Sequence, residues 1–157
     1  MDERAANIPP VEGRPALSII IPTLDEARTI GETLDAVRRA AGHAEVIVVD
    51  GGSRDATVEV ARGRGVKVIT SGRGRGLQMH AGACEARGDV LWFLHADTSP
   101  SRDCAERLAE ALGDPSVVAG NFHVVFDGGQ RARRRVVQAG AGDHQPRHAD
   151  TPALVSE

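Results

Sequence analysis

Asp97 closes a strongly apolar run, Val90-Leu91-Trp92-Phe93-Leu94, in the stretch Leu94-His95-Ala96-Asp97. A carboxylate at the end of such a run suits Mg²⁺ or Mn²⁺, which prefer oxygen ligands and complete their shell with waters and substrate phosphates. His95, two residues earlier, is a candidate second ligand, although a histidine bonded to a neighbouring loop is the plainer reading. Asp97 followed by Thr-Ser-Pro is also ordinary turn chemistry. A second acid, Asp50, ends Val46-Ile47-Val48-Val49 and opens Asp50-Gly51-Gly52-Ser53-Arg54-Asp55. An acid in that place can accept hydrogen bonds from a ribose or base, or it can simply build the turn. Pro22, Thr23 and Glu26 follow the first apolar run, and Thr23 to Glu26 has capping-box spacing. Arg73 and Arg75 stand in the glycine loop 71–76, just ahead of a helical pattern. Backbone N–H groups and fork-shaped guanidinium donors at a helix start suit a phosphate or diphosphate. A solvated surface turn explains the same loop.

Elements of alternating type must position these groups. Leu17 to Pro22 is short, β-branched and apolar, as in a strand buried on both faces. Ile30, Leu34, Val37 and Ala41 recur at helical spacing, and Gly42 marks the stop. Glu45 to Asp50 is a second strand, and Asp55 caps a helix that closes near Gly63. Val66 to Thr70 is a third strand, leading through the Gly/Arg loop into a helix from about Leu77 to Ala86. A fourth strand spans Val90 to Leu94, Ser101 caps a helix running through Leu112, and Val117 to Phe126 reads as a longer fifth strand. Strand and helix alternate four times with short links, so βαβ units and a mostly parallel sheet with helices on both faces are expected. Ligands of such sheets bind beyond the carboxyl ends of the strands, where all the candidate residues fall. Past Phe126, residues 131–137 suggest one short helix, and from Ala139 to Glu157 no periodicity survives, so disorder is expected.

Composition narrows the function classes. A chain of 157 residues can bury about two-thirds of its unfolded surface, enough for one genuine core. The net charge of −3 leaves no global basic field for nucleic acid. Aromatics at 3% leave almost nothing on which bases could stack. No apolar run approaches the roughly 20 residues that cross a bilayer, and the polar start, Met1 to Glu12, does not read as a signal peptide. Cys84 and Cys104 lack metal-like spacing and read as reduced thiols of a cytoplasmic protein. Lys67 is the sole lysine beside 18 glycines and many arginines, a skew that base composition alone can produce. Two nucleotide motifs are excluded: Gly72 and Gly74 are followed by Leu77 rather than a third glycine, and no G-x-x-x-x-G-K-[ST] occurs.

The order of the blocks is more specific than any one of them. Residues 18–26 (SIIIPTLDE), 46–55 (VIVVDGGSRD) and 87–98 (RGDVLWFLHADT) together resemble family 2 glycosyltransferases of the GT-A fold. Residues 73–82 (RGRGLQMHAG) and the HADT ending are similar to a bacterial branch termed arsenosugar-biosynthesis-type, sometimes labelled by analogy with carotenoid-acid glucosyltransferases. The resemblance covers about residues 16–126. It implies an α/β GT-A (Rossmann-like) three-layer sandwich with a nucleotide-sugar-binding domain over 16–126. Beside it stand the flexible leader over 1–15 and the poorly ordered, basic then polar tail over 127–157 that composition and lost periodicity lead one to expect.

The resemblance also implies roles. Pro22, Thr23 and Glu26 would line the pocket of a nucleoside-diphosphate-sugar donor, with a UDP-sugar favoured. Asp50 would contact the base or ribose, and Arg73 and Arg75 would lie near the diphosphate. Asp97 matches the last Asp of the family's D-x-D element and would hold Mg²⁺ or Mn²⁺, with His95 in the place of the first acid. Asp25 and His80 stand where the family and this branch usually have Asn. The acceptor half, with its Asp or Glu general base for an inverting transfer, has no counterpart after Phe126, where Asp143 and Asp150 are acidic but sit in a stretch without periodicity. A C-terminally truncated enzyme with an incomplete acceptor half is therefore expected, and its alternative is a donor-binding fragment that transfers nothing. A nucleotidyltransferase is disfavoured because no Gly-rich basic loop follows the first strand. The acceptor is unknown, and a lipid-like one would need only peripheral contact with the inner face of the membrane.

Overall fold

The computed structural model describes residues 16–126, 134–140 and 153–156. Strand β1 (Leu17–Thr23) leads to helix α1 (Ile30–Ala40), β2 (Glu45–Asp50), α2 (Thr57–Arg62) and β3 (Lys67–Thr70). Helix α3 (Arg75–Glu85) and β4 (Val90–Phe93) follow, then β5 (Thr98–Pro100), α4 (Cys104–Ala111), β6 (Ala119–Phe126), β7 (Arg134–Gly140) and β8 (Ala153–Ser156). The eight strands form one sheet in the order β3-β2-β1-β4-β8-β6-β7-β5. Pairing is parallel throughout except between β6 and β7.

Alternation along β1 explains the layers. Ile19 and Ile21 point into a core shared with Leu34 and Val37 of α1, Ala61 of α2 and Leu108 of α4. Ile20 points the other way, to Ile47, Val49 and Leu91, with Ala81 and Ala83 of α3 packed on them. All three isoleucines are fully buried, as an uninterrupted β-branched run predicts. The same layering follows from topology. The chain moves outward from β1 to β3, then crosses back to β4 on the other side of β1. A right-handed crossover in the reversed direction must place its helix on the opposite face, and α3 is that helix.

Local expectations were corrected at several places. Thr23 does not cap a helix: it is the last residue of β1, and α1 starts only at Ile30. The Glu26 carbonyl accepts from the N–H groups of Thr29 and Ile30 and so takes over the helix start. Helix α3 begins at Arg75, two residues ahead of the expected Leu77. The expected helix over residues 131–137 is instead strand β7 from Arg134, antiparallel to β6 and flanked by β5 on its other side. Ladder partners on both sides outweigh a weak local helix preference. Of the stretch expected to lack structure, Ala139 and Gly140 end β7, and Ala153 to Ser156 form β8 between β4 and β6. A four-residue strand is too short to show a period. Asp143 and Asp150 lie outside the described residues, as do the leader 1–15 and residues 127–133.

The start of α4 provides a pH test. The Ser101 hydroxyl donates to Asp103 Oδ1 at 2.6 Å, and Arg107 Nε donates to Oδ2 at 2.5 Å. These bonds, with Ser101 first, lower the Asp103 carboxyl to about 2. A lowered folded-state pKa contributes stability that is complete above the free value near 4 and lost as pH falls towards 2. Asp103→Asn should therefore flatten the fall in stability between about pH 4 and pH 2, measured by urea unfolding across that window. An unchanged slope would mean that other carboxylates dominate.

Candidate donor-nucleotide site

Thr23, Asp50 and Thr70 lie side by side in the ladder at the carboxyl edge of β1, β2 and β3. The chain beyond β4 leaves the sheet at the same edge, where the Leu94 N–H bonds to the Ile20 carbonyl at 3.0 Å. Strand order reverses around β1, whose end lies between the β2 side of the sheet and the segment carrying Asp97. Crevices at such switch points are where open α/β sheets bind ligands.

The Asp50 carboxylate is engaged in its own turn. Its Oδ2 accepts from the N–H groups of Gly52 at 2.9 Å and Ser53 at 3.0 Å, and its Oδ1 accepts from the Ser53 hydroxyl. Asp50 thus builds the Gly51–Gly52–Ser53 turn at the sheet edge, as its turn reading expects. That turn is fastened to the β1–α1 loop. Asp25 N–H donates to Ser53 Oγ at 2.9 Å, and Asp25 Oδ1 accepts from Arg54 N–H at 2.7 Å. Asp25 has φ 55°, a left-handed conformation that Asp and Asn tolerate best among residues with a side chain. Glu26 N–H donates to Thr57 Oγ1 at 2.8 Å, and Ala27 N–H to Asp55 Oδ2 at 3.0 Å. The Thr57 hydroxyl and backbone N–H groups hold the Asp55 carboxyl below the usual range, so it accepts as the anion. Asp55 therefore serves a neighbouring loop as well as its own helix start. The Glu26 side chain is half-buried and accepts from the Thr29 hydroxyl at 2.8 Å. Pro22 is half-buried in β1 opposite Val49.

Gln78 is a site-building residue that sequence reasoning did not single out. It is 4% exposed, and its Nε2 donates to the Thr23 carbonyl at 2.7 Å and the Val49 carbonyl at 2.9 Å. One amide thus ties the start of α3 to the ends of β1 and β2. A signal existed: Gln78 shares a helical stripe with Ala81, Gly82 and Ala86, where a polar residue among small ones needs a buried partner. Arg73 and Arg75 are exposed on either side of Gly74, whose φ of 138° bends the loop into the helix. Neither arginine forms an ion pair among the described residues.

Asp97 is half-buried, and among the described residues nothing donates a hydrogen bond to its carboxylate. No three metal-ligating side chains cluster among the described residues. That donor set fits an ion shared with a diphosphate and water, which needs only one or two protein carboxylates. His95 is half-buried, its carbonyl accepting from the Thr98 N–H at 3.1 Å to close a turn around Asp97. A separate cleft of about 300 Å³ lies at the opposite edge, lined by residues including Asp35, Arg38, Arg64 and Lys67. There Arg64 is paired with Asp35 and Lys67 with Glu85, and none of the candidate site residues reaches it.

A mostly parallel sheet with helices on both faces and polar loops gathered at its switch point defines a GT-A type of α/β fold. The chain belongs to glycosyl transferase family 2, whose model matches residues 18–151. It is 31% identical over 133 residues to glycosyltransferase AglE of Haloferax volcanii, covering 77% of this chain and 44% of that protein. Over 109 residues it is 36% identical to a PGL/p-HBAD biosynthesis glycosyltransferase of Mycobacterium bovis, covering 64% and 43%. Among solved structures it is similar to the mannosyltransferase PcManGT of Pyrobaculum calidifontis in complex with GDP-Man and Mn²⁺. That match has a TM-score of 0.59 and 29% identity, and covers 69% of this chain and 35% of the other. Glucosyl-3-phosphoglycerate synthase of Mycobacterium tuberculosis, solved with Mn²⁺, UDP and glucosyl-3-phosphoglycerate, matches with a TM-score of 0.61 and 25% identity, covering 75% and 46%. The chain spans less than half the length of these relatives. No helix among the described residues is long and apolar enough to cross a membrane.

Proposed function

We propose that this chain binds a nucleoside-diphosphate-sugar, with a UDP-sugar favoured, and presents it for transfer to an acceptor hydroxyl with inversion. The observation that carries the reading is the convergence of Thr23, Asp50, the Arg73–Arg75 loop and Asp97 on one edge of the sheet, around the β1 switch point. Pro22, Thr23, Glu26 and Asp50 form the nucleoside end of the pocket. Arg73 and Arg75, beside the start of α3, face the diphosphate and neutralise the charge that grows on it as the sugar departs. Asp97, with His95 as a second donor, would hold Mg²⁺ or Mn²⁺. Such an ion, when bound, supplies Lewis-acid stabilisation of the leaving diphosphate. The Mn²⁺ seen with both solved relatives supports that choice. An inverting transfer also needs a base for the acceptor proton, and the described residues supply the donor side of that step. The arsenosugar-type branch rests on residues 73–82 and HADT. A lipid-like acceptor reached at the inner face of the membrane belongs to the same reading.

The test is calorimetry of the folded chain with UDP and GDP, with and without Mn²⁺. UDP should bind, more tightly with Mn²⁺ than in EDTA. Absence of any nucleotide binding would overturn the reading. Labelled nucleotide-sugars offered with a panel of acceptors then separate a transferase from a protein that only binds the donor.

A further inference from the structure

Thr33 lies on the buried stripe of α1, one turn from Ile30, and is 3% exposed. Its hydroxyl does not return to its own helix. It donates to the carbonyl of Ala96 at 2.7 Å, across 63 residues of sequence. That carbonyl belongs to the peptide joining Ala96 to Asp97. The chain there has left the β4 ladder, which ends at Phe93, and β5 begins only at Thr98. Ala96 is 4% exposed, so its carbonyl is shielded from water where the sheet offers no partner. On the other side of the peptide, the His95 carbonyl and Thr98 N–H close the turn at 3.1 Å.

We propose that Thr33 is a positioning residue for Asp97, and through it for the divalent cation of the donor complex; this rests on the reading of Asp97 given above. Rotation of the 96–97 peptide plane changes φ of Asp97 and so swings its carboxylate. The Thr33 bond holds that plane. Without the hydroxyl, the buried carbonyl loses its partner, and the peptide turns to find another. Asp97 itself is engaged by nothing else among the described residues, so the backbone is what aims it. Partners that orient a metal ligand typically change metal affinity by about 10–100-fold when removed.

The experiment measures UDP affinity of the full chain by calorimetry in EDTA and in Mn²⁺, for wild type, Thr33→Val and Thr33→Ser. Valine keeps the volume and removes the donor; serine restores the donor. Thr33→Val should lose about tenfold of the Mn²⁺-dependent gain while its affinity in EDTA stays within about twofold. Thr33→Ser should retain most of the gain. A merely structural role would lower the melting temperature without separating the two affinities. Should Thr33→Val not fold, Thr33→Ala is read by the same criterion. If the donor-less variant keeps the full Mn²⁺ gain, or Ser fails to rescue it, the role of Thr33 is overturned. If wild type itself shows no Mn²⁺ gain, the assignment of Asp97 fails, a separate result.

Discussion

Asp97→Asn should bind UDP equally well with and without Mn²⁺. The substitution keeps the shape of a half-buried side chain and removes its charge, so the fold should change by less than about 0.5 kcal/mol. What it removes is a carboxylate that the segment after β4 presents at the edge with no donor attached among the described residues. A neutral amide oxygen is a far weaker ligand for a hard cation than a carboxylate. The Mn²⁺-dependent gain should therefore fall by at least about tenfold, already the cost of losing an outer-sphere partner. Affinity in EDTA should persist, because Thr23, Asp50, Arg73 and Arg75 are untouched. The arrangement of ligands would be refuted if Asp97→Asn kept the wild-type response to Mn²⁺. His95→Ala gives a graded comparison, with a smaller loss expected if the histidine is only an accessory donor.

The largest effect on stability is expected at Gly82. Helix α3 lies so close to the sheet that a Cβ there would sit 2.4 Å from Ile20 Cγ2 and 3.0 Å from Val49 Cγ2. Both neighbours are fully buried and held by the strands on either side, so neither can swing away. Gly82→Ala should cost about 1–3 kcal/mol through overpacking, against the slight gain that alanine would bring to an exposed helix position. Ile20→Ala removes the offending methyl, and the double variant should be less destabilised than the sum of the singles. Urea unfolding of the four proteins measures this, and additive behaviour would rule out the contact as the cause. The consequence reaches the site as well. Gln78 lies one helical turn before Gly82, so a helix lifted off the sheet draws its amide from the Thr23 and Val49 carbonyls. Arg73 and Arg75 move with it. Gly82→Ala should thus also weaken UDP binding in EDTA, where Asp97→Asn does not.

The candidate site was half legible in the sequence. Asp50, Asp97 and the Arg73–Arg75 loop stand out because strand ends and turns leave local marks: apolar runs that stop, glycines, acids beside small residues. Gln78 and Thr33 leave only a weaker mark, a polar residue on an otherwise buried helical stripe, and what they bind lies 29, 55 or 63 residues away. Asp55 reads in sequence as helix-start chemistry alone, yet it also receives the backbone N–H of Ala27, while Thr57 beside it receives that of Glu26. In the last third, residues 134–140 carry too little pattern to be told from a helix, and their strand state depends on β6 and β5 beside them.

Period and turn chemistry act over a few residues, so the alternation of the longer strands and helices up to Phe126, the parallel sheet and the strand-end acids follow from sequence alone. The three-residue strand β5, in a stretch that reads as a turn, does not. Strand order, the face taken by α3, the entry of Ala153 to Ser156 between β4 and β6, and the partner of each buried amide or hydroxyl follow only from the tertiary structure. Those features are hydrogen bonds and packing contacts between segments far apart along the chain. Their energy exists only once the sheet has brought the segments together.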